Sequence, residues 1–254
     1  MEMARFIFLT ALKTLGLVFL GLLAAKAASG LRGEEQGKGL TWLQRGVYAL
    51  LLGLVVLSAY NLGNDVAAAN YAWASQRSLA QFQYSKAYSN ALRAVELRPG
   101  VIQYWETLAD AKFAQHQFAS LVADLPVLLA LGGGRLNEGF GFRLASSYYF
   151  LAQYDKVIPL TEQMIQANRD YAAPYVLLGY AFVAQKKFPE AERTFLAVLQ
   201  KFPDQQAAVE GLAHVYFLTG NKAGAQGVLT ETAKYSFSAE ARQRFEALKA
   251  LYAQ

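Results

Sequence analysis

Apolar residues recur at helical spacing on two neighbouring segments between residues 172 and 205, with a polar turn between them. Large, small and aromatic residues alternate on each segment, which predicts two helices packed against each other. Gly179 and Ala191 stand where these helices would approach closely, because a larger side chain there would push the pair apart. Pro203 ends the second helix, since proline cannot continue one. The repeating positions are Tyr175, Leu178, Gly179, Phe182, Phe188, Ala191, Phe195 and Val198.

The same spacing recurs at 34-residue steps on both sides of this segment. The register slips once, by Leu136 and Asn137, after a flexible run of three glycines that can absorb the extra length. Five helix pairs are therefore predicted, at residues 68–101, 102–135, 138–171, 172–205 and 206–239, of which the first is the most degenerate. Residues 240–254 place Phe245, Leu248 and Leu251 on one face, as expected of a helix that caps the end of such an array.

This pattern resembles the tetratricopeptide repeat, in which about 34 residues fold as two antiparallel helices. The resemblance covers roughly three quarters of the chain. It implies an all-α, right-handed solenoid over residues 67–254, with a concave groove lined by the first helix of each pair. It implies no single activity, because repeats of this kind serve many unrelated partners.

The resemblance also implies which side chains face the groove. They are Gln103, Glu106, Asp110 and Phe113 from the second pair, Phe142, Ser146, Tyr149 and Phe150 from the third, Tyr180 and Val183 from the fourth, and Glu210, His214 and Phe217 from the fifth. These residues form no cationic clamp of the kind that grips a chaperone carboxylate. An aromatic strip flanked by acids favours an apolar helix or extended peptide with some basic or polar character. The alternative is that the aromatic residues only fill space between neighbouring helices.

Two apolar segments precede the repeats, at residues 6–28 and 46–63, with Lys13 inside the first, Lys26 near its end and no charge in the second. Both are typical of membrane helices, and Trp42, Tyr48 and Tyr60 could anchor the second at the membrane interface. We interpret them as a hairpin of two transmembrane helices, at residues 1–30 and 44–66, joined by a loop at 31–43. The first segment also fits a cleaved signal peptide, with a small-residue site at residues 25–27.

Basic residues predict the orientation of this hairpin. The connecting loop and its edges hold four, Lys26, Arg32, Lys38 and Arg45, whereas the amino end holds Arg5 and Lys13. Loops rich in Lys and Arg stay in the cytoplasm. The chain is therefore predicted to cross a bacterial-type inner or plasma membrane twice, with its repeats on the extracytoplasmic, periplasmic side.

Catalytic and cofactor motifs are lacking. The chain has no cysteine, and neither of its two histidines, His116 and His214, has a second ligand at metal-binding spacing. Neither glycine run has the Lys and Ser or Thr of a phosphate-binding loop. The repeats carry eighteen basic and fifteen acidic residues that intermingle, which argues against nucleic acid as a partner. No metal, cofactor or enzymatic activity is predicted.

Three functions remain open from the sequence. The preferred one is a membrane-anchored scaffold or accessory subunit that binds proteins, either integral membrane subunits or an apolar peptide or helix, in a larger membrane complex. The alternative is a transient envelope-biogenesis factor that acts on secreted proteins or surface polysaccharide. An enzyme of unknown mechanism would need polar groups that meet in one pocket, and Asp110, Tyr149 and His214 are too many repeats apart for that.

Overall fold

The computed structural model describes residues 39–253, and these residues form helices and the turns that join them. They belong to two compact units, residues 1–108 and 109–254. The expected first membrane helix at 1–30 and most of the loop at 31–43 lie outside the described residues. The helices within 39–253 are α1 Gly39–Ala80, α2 Tyr84–Leu97, α3 Ile102–Ala114, α4 Phe118–Ala123, α5 Leu125–Leu131, α6 Glu138–Phe150, α7 Tyr154–Ala167, α8 Ala172–Ala184, α9 Phe188–Lys201, α10 Gln206–Leu218, α11 Lys222–Glu231, a 3₁₀ turn Thr232–Lys234 and α12 Ala239–Tyr252.

The first unit is built on one long helix. Helix α1 has 42 residues and runs without a break through the expected second membrane helix and into the first repeat. The joining sequence, NDVAAAN, contains no proline and three alanines, so nothing interrupts the helix. Helix α2 folds back on α1, where the buried Ser75 hydroxyl donates a hydrogen bond of 2.8 Å to the carbonyl of Ala87.

The turn between the two helices has the same backbone geometry in every pair. One residue between the two helices has a positive φ in every pair, and the next amide N–H donates to a carbonyl five residues earlier at 2.8 to 2.9 Å. This is the Schellman end of a helix, which usually employs glycine because other residues strain in the left-handed region. Only one of the five is glycine here. The five residues are Phe82, His116, Ala152, Lys186 and Gly220.

In the second unit, an aromatic ring on α9 joins the fourth and fifth helix pairs. Phe195 is completely buried, and its ring lies against two glycines, Gly179 on α8 and Gly211 on α10. A Cβ atom at Gly179 would lie 2.6 Å from Cε1 of Phe195, and one at Gly211 would lie 2.5 Å from the same atom. Both distances are shorter than side-chain packing allows. The ring therefore requires glycine on both first helices, which confirms the close approach expected at Gly179 and adds Gly211.

The second helix of the 102–135 pair is divided into α4 and α5. Pro126 lies in the first turn of α5 and cannot donate a hydrogen bond to the carbonyl of Val122, which breaks the helix near Asp124. The Asp124 carboxylate accepts a hydrogen bond of 2.5 Å from the buried ammonium of Lys112 on α3. This ion pair fixes the break against the first helix of the same pair.

We predict that Gly211→Ala lowers the free energy of unfolding by about 1 to 3 kcal/mol, because the new methyl group must displace the buried Phe195 ring. Gly227→Ala is the matched control, since Gly227 lies inside α11 with no neighbour within 4 Å of its Cβ position. Its substitution should raise stability by up to about 1 kcal/mol through helix propensity. Urea unfolding of the full chain in detergent, followed by far-ultraviolet circular dichroism, measures both. Equal effects of the two substitutions would contradict the packing described for Phe195.

Candidate functional site

The predicted groove residues lie on α3, α6, α8 and α10, the first helices of their pairs. In the first unit, Gln103 is exposed and Glu106 is half-buried. The remaining residues belong to the second unit, where many of them contact other parts of the chain. Their contacts decide which side chains are accessible to a partner.

Tyr180 joins two neighbouring repeats. Its hydroxyl donates a hydrogen bond of 2.9 Å to the carbonyl of Ala207 on the next first helix, and its ring lies edge-on to Phe195 at 5.3 Å. Burial, followed by the negative charge of Glu210, raises the pKa of Tyr180 to about 12. Val183, one turn further along α8, packs against the same hydrophobic core. Both residues therefore contribute to the solenoid itself.

Helix α12 contacts all three predicted groove residues of the fifth repeat. Arg244 Nε lies 3.0 Å from the Glu210 carboxylate, which also accepts a hydrogen bond of 2.8 Å from Gln206. Nδ1 of His214 lies 3.3 Å from the Tyr252 hydroxyl, and the Phe217 ring stacks on Tyr252 at 4.5 Å. Tyr252 is nearly fully buried. These contacts fix α12 across the end of the repeats.

Sequence reasoning missed Arg244 and Tyr252 as neighbours of the groove. The signal was present, because Arg244 follows Glu210 by one 34-residue step and so occupies the equivalent position on the next helix. Helix α12 therefore takes the position of a further first helix, and it also caps the end of the repeats.

The third repeat divides its predicted residues between two environments. Ser146 is buried, and the Phe142 ring lies 5.8 Å from that of Tyr171. Burial raises the pKa of Tyr149, with a smaller effect of Tyr154. Asp110, from the second repeat, pairs with Arg143 Nε at 2.6 Å. Ser146 is therefore covered by the fold, and Asp110 is paired within the chain.

Phe113 and Phe150 lie beside the turns between helices. Phe150 stacks on Phe118 of α4 with ring centroids 4.5 Å apart, and Phe113 lies edge-on to the same ring at 5.5 Å. Phe150 remains 58% exposed despite this contact. It is therefore the large apolar residue of the predicted groove set that a partner could reach most easily.

The polar residues described above do not form a reaction centre. Within residues 39–253, no group of three or more His, Asp or Glu side chains could hold a metal ion. The ion pairs of Asp110 and Glu210 each join two helices, and the Tyr180 hydroxyl bonds a backbone carbonyl. These polar groups therefore join helices to one another.

Solved structures similar to this chain are tetratricopeptide-repeat proteins. MamA from residue 41 onwards, of Desulfovibrio magneticus RS-1, has a TM-score of 0.59 at 16% identity, covering 66% of this chain and 94% of that one. TTC0263, a thermophilic TPR protein of Thermus thermophilus, has a TM-score of 0.56 at 16% identity, covering 72% and 98%. YrrB, a TPR protein with an unusual peptide-binding site, has a TM-score of 0.53 at 14% identity, covering 70% and 90%. No protein-family model matches the chain, and no curated protein does.

We predict that the contact between His214 and Tyr252 makes stability depend on pH. Burial lowers the pKa of His214, so the folded chain favours the neutral imidazole. The unfolded chain takes up a proton near the ordinary value of about 6.5, so the stabilisation is complete above that pH and is lost as the pH falls through the lower folded value. The melting temperature of the wild type should fall more between about pH 7.5 and pH 5 than that of His214→Gln. An identical fall in both would refute this role of His214.

Proposed function

From the tetratricopeptide-repeat fold of the described helices, we propose that this chain is a membrane-anchored scaffold, an accessory subunit that binds proteins within a larger membrane complex. The fold supports the binding of proteins or peptides. The membrane context is supported by the exposed apolar part of α1, which is the observation that carries this proposal.

Large apolar side chains surround α1 between residues 47 and 60. Leu50, Leu52 and Tyr60 are each 65% exposed, and Val56 and Leu57 are nearly as accessible. These residues point in all directions around the helix axis, since each residue advances by about 100°. A buried helix or a protein interface would leave such residues covered or confined to one side. The hydrocarbon core of a membrane is an environment in which these apolar side chains are favourable.

The length of the helix agrees with this environment. Among residues 39–253, the segment Gly46–Ala80 alone is long and apolar enough to cross a membrane, with a mean hydropathy of 1.7 over its most apolar window. About 20 residues span the hydrocarbon core, so 42 residues supply both a span and the first helix of a repeat. The apolar part therefore serves as the anchor and the remainder of α1 belongs to the solenoid.

An ion pair couples the anchor to the first repeat. Arg98, just after α2, contacts the backbone carbonyl of Asn61 and the carboxylate of Asp65 on α1. Asn61 directly follows the exposed apolar side chains of residues 47–60. The hairpin of α1 and α2 is thus fixed at the end of the anchor, without a flexible linker. Such coupling favours a subunit that holds a partner at the membrane surface over a tethered domain that searches for one.

The proposed topology has two membrane passes, with residues 31–43 in the cytoplasm and the repeats outside. The chain has no cysteine, so single cysteines can be introduced without removing any. We expect a membrane-impermeant maleimide to label Leu251→Cys in intact cells and Gln36→Cys only after permeabilisation. Leu52→Cys, inside the proposed span, should stay unlabelled until detergent is added. Labelling of Leu52→Cys in intact membranes would reject the anchor.

We further expect a fixed set of companion proteins to copurify with the chain. The full chain with a carboxy-terminal tag is isolated from gently solubilised membranes, and its companions are quantified by mass spectrometry. Constant proportions across preparations are the expected result for a structural subunit. A shifting mixture of clients, or recovery of the chain alone, would reject the subunit role, and the shifting mixture would favour the envelope-biogenesis alternative.

A further inference from the structure

Three clefts recur on the outer side of the second unit, between the second helices of neighbouring pairs. They have volumes of about 500, 640 and 360 Å³. The first cleft is lined by Leu129, Gly141, Leu160 and Met164, the second by Ile165, Leu178, Phe182 and Thr194, and the third by Leu199, Leu212, Tyr216 and Val228. Each cleft has a second helix on either side and a first helix as its floor.

The second and third clefts are one site repeated. Leu178 and Phe182 form the floor of the second, and one 34-residue step places Leu212 and Tyr216 in the floor of the third. The second helices beside the two clefts are related by the same 34 residues, since Gln166 of the second cleft corresponds to Gln200 of the third. These two clefts therefore follow from the repeat, which places apolar residues of a first helix in each floor one repeat apart.

An exposed leucine marks this side as a candidate binding surface. Helix α9 buries Ala191, Phe195 and Val198 on one face, and its other positions are mostly polar. Leu196 interrupts those polar positions, lies at the third cleft and is 45% exposed. Tyr235, on the opposite rim of that cleft, is also exposed. Neither side chain is needed to fill the core.

Each cleft has one or two acidic side chains in its lining, although the chain as a whole carries a net charge of +5. Glu138 lines the first cleft, Glu162 and Glu190 the second, and Glu231 the third, whereas Arg193 is the one basic residue among these linings. Arg193 Nε bonds the carbonyl of Pro189 at 3.3 Å, and Glu231 has a weak, exposed pairing with Lys234 at 3.4 Å. The surface thus combines apolar clefts with negative charge at each one.

We propose that this row of clefts binds an amphipathic α-helix of a partner protein, with apolar side chains in the clefts and Lys or Arg residues opposite the glutamates. One second helix separates neighbouring clefts, since Tyr154–Ala167 lines both the first and the second and Phe188–Lys201 both the second and the third. A helix with its side chains is about 10 to 12 Å across, which is close to the 10.5 Å or so between residues i and i+7 on one face of a helix. Same-face residues of an extended strand recur every 6.6 to 6.8 Å or so and would miss successive clefts. This inference rests on the proposed scaffold function and assigns it to a surface other than the groove.

A designed peptide tests the chemistry of the site. The probe is a fluorescent 18-residue helix with leucine at heptad spacing and lysine elsewhere on the same side, and its counterpart carries glutamate instead of lysine. Binding to the full chain in nanodiscs of zwitterionic lipid is measured by anisotropy, with empty nanodiscs as the blank. We expect saturable binding of the lysine peptide and at least about tenfold weaker binding of the glutamate peptide. Equal binding of the two would overturn the proposal.

Substitutions locate the site on the chain. Leu196→Lys should weaken binding of the lysine peptide about tenfold. Leu218→Lys is its matched control, because Leu218 is 44% exposed on the same unit and lines none of the three clefts. The triple change of Glu162, Glu190 and Glu231 to Gln should weaken binding similarly and reduce its salt dependence. Equal losses for Leu196→Lys and Leu218→Lys would also overturn the proposal.

The native partner separates this inference from the scaffold function. A photo-crosslinking benzoylphenylalanine is placed at Leu196, at Leu218 or at Phe150, and the crosslinked segment is sequenced. We expect an adduct from Leu196 with an apolar, basic segment, and loss of that adduct in the triple Gln variant. Adducts only from Phe150, or with an acidic segment, would overturn the cleft site while the scaffold function stands. The absence of protein adducts together with the absence of constant companions would overturn both.

Discussion

The packing of one phenylalanine against two glycines sets how the fourth and fifth helix pairs of the second unit fit together. Phe195 belongs to a second helix, and its ring contacts the first helix of its own pair at Gly179 and that of the next pair at Gly211. The ring therefore sets the distance within a pair and the distance between pairs at once. In a repeat array, stability is the sum of such internal and neighbour contacts, and here one side chain supplies both.

The fold was largely predictable from the sequence because small residues recur where helices cross. Ala109, Ala145 and Ala213 occupy the place of Gly179 in their repeats, and all three are fully buried. The sequence NDVAAAN, without proline or a Gly-Ser linker, predicted that the second apolar segment runs almost directly into the first repeat, as α1 does. The break near Asp124 was not predicted, because apolar residues continue at helical spacing on both sides of Pro126. The turn residues with positive φ could not be recognised from glycine in the sequence, because four of the five are other amino acids. Superposition of the repeats locates such turns only once the register is known.

For the candidate site, the sequence predicted the helices that carry the residues but not the contacts that those side chains make within the chain. Periodicity predicts which residues of a first helix share a face, and it carries no information on contacts with distant segments. The Tyr180 hydroxyl donates a hydrogen bond to the carbonyl of Ala207, and the Phe217 ring stacks on Tyr252. Both contacts depend on how another helix packs. The clefts on the outer side were missed for a related reason. They are spaces between second helices, whose exposed residues have no consensus pattern apart from an unexpected leucine at 196.

If α1 anchors the chain in a membrane, as proposed, its unbroken course has a consequence for the hairpin that it forms with α2. A helix whose apolar length differs from the local bilayer thickness adjusts by tilting. Because α1 continues into the first repeat, and Arg98 holds α2 to it at Asn61 and Asp65, the hairpin must tilt with the span. Bilayer thickness would then set the angle at which this hairpin leaves the membrane. With residues 47–60 in a bilayer, as proposed, lipid composition would alter the orientation of this hairpin.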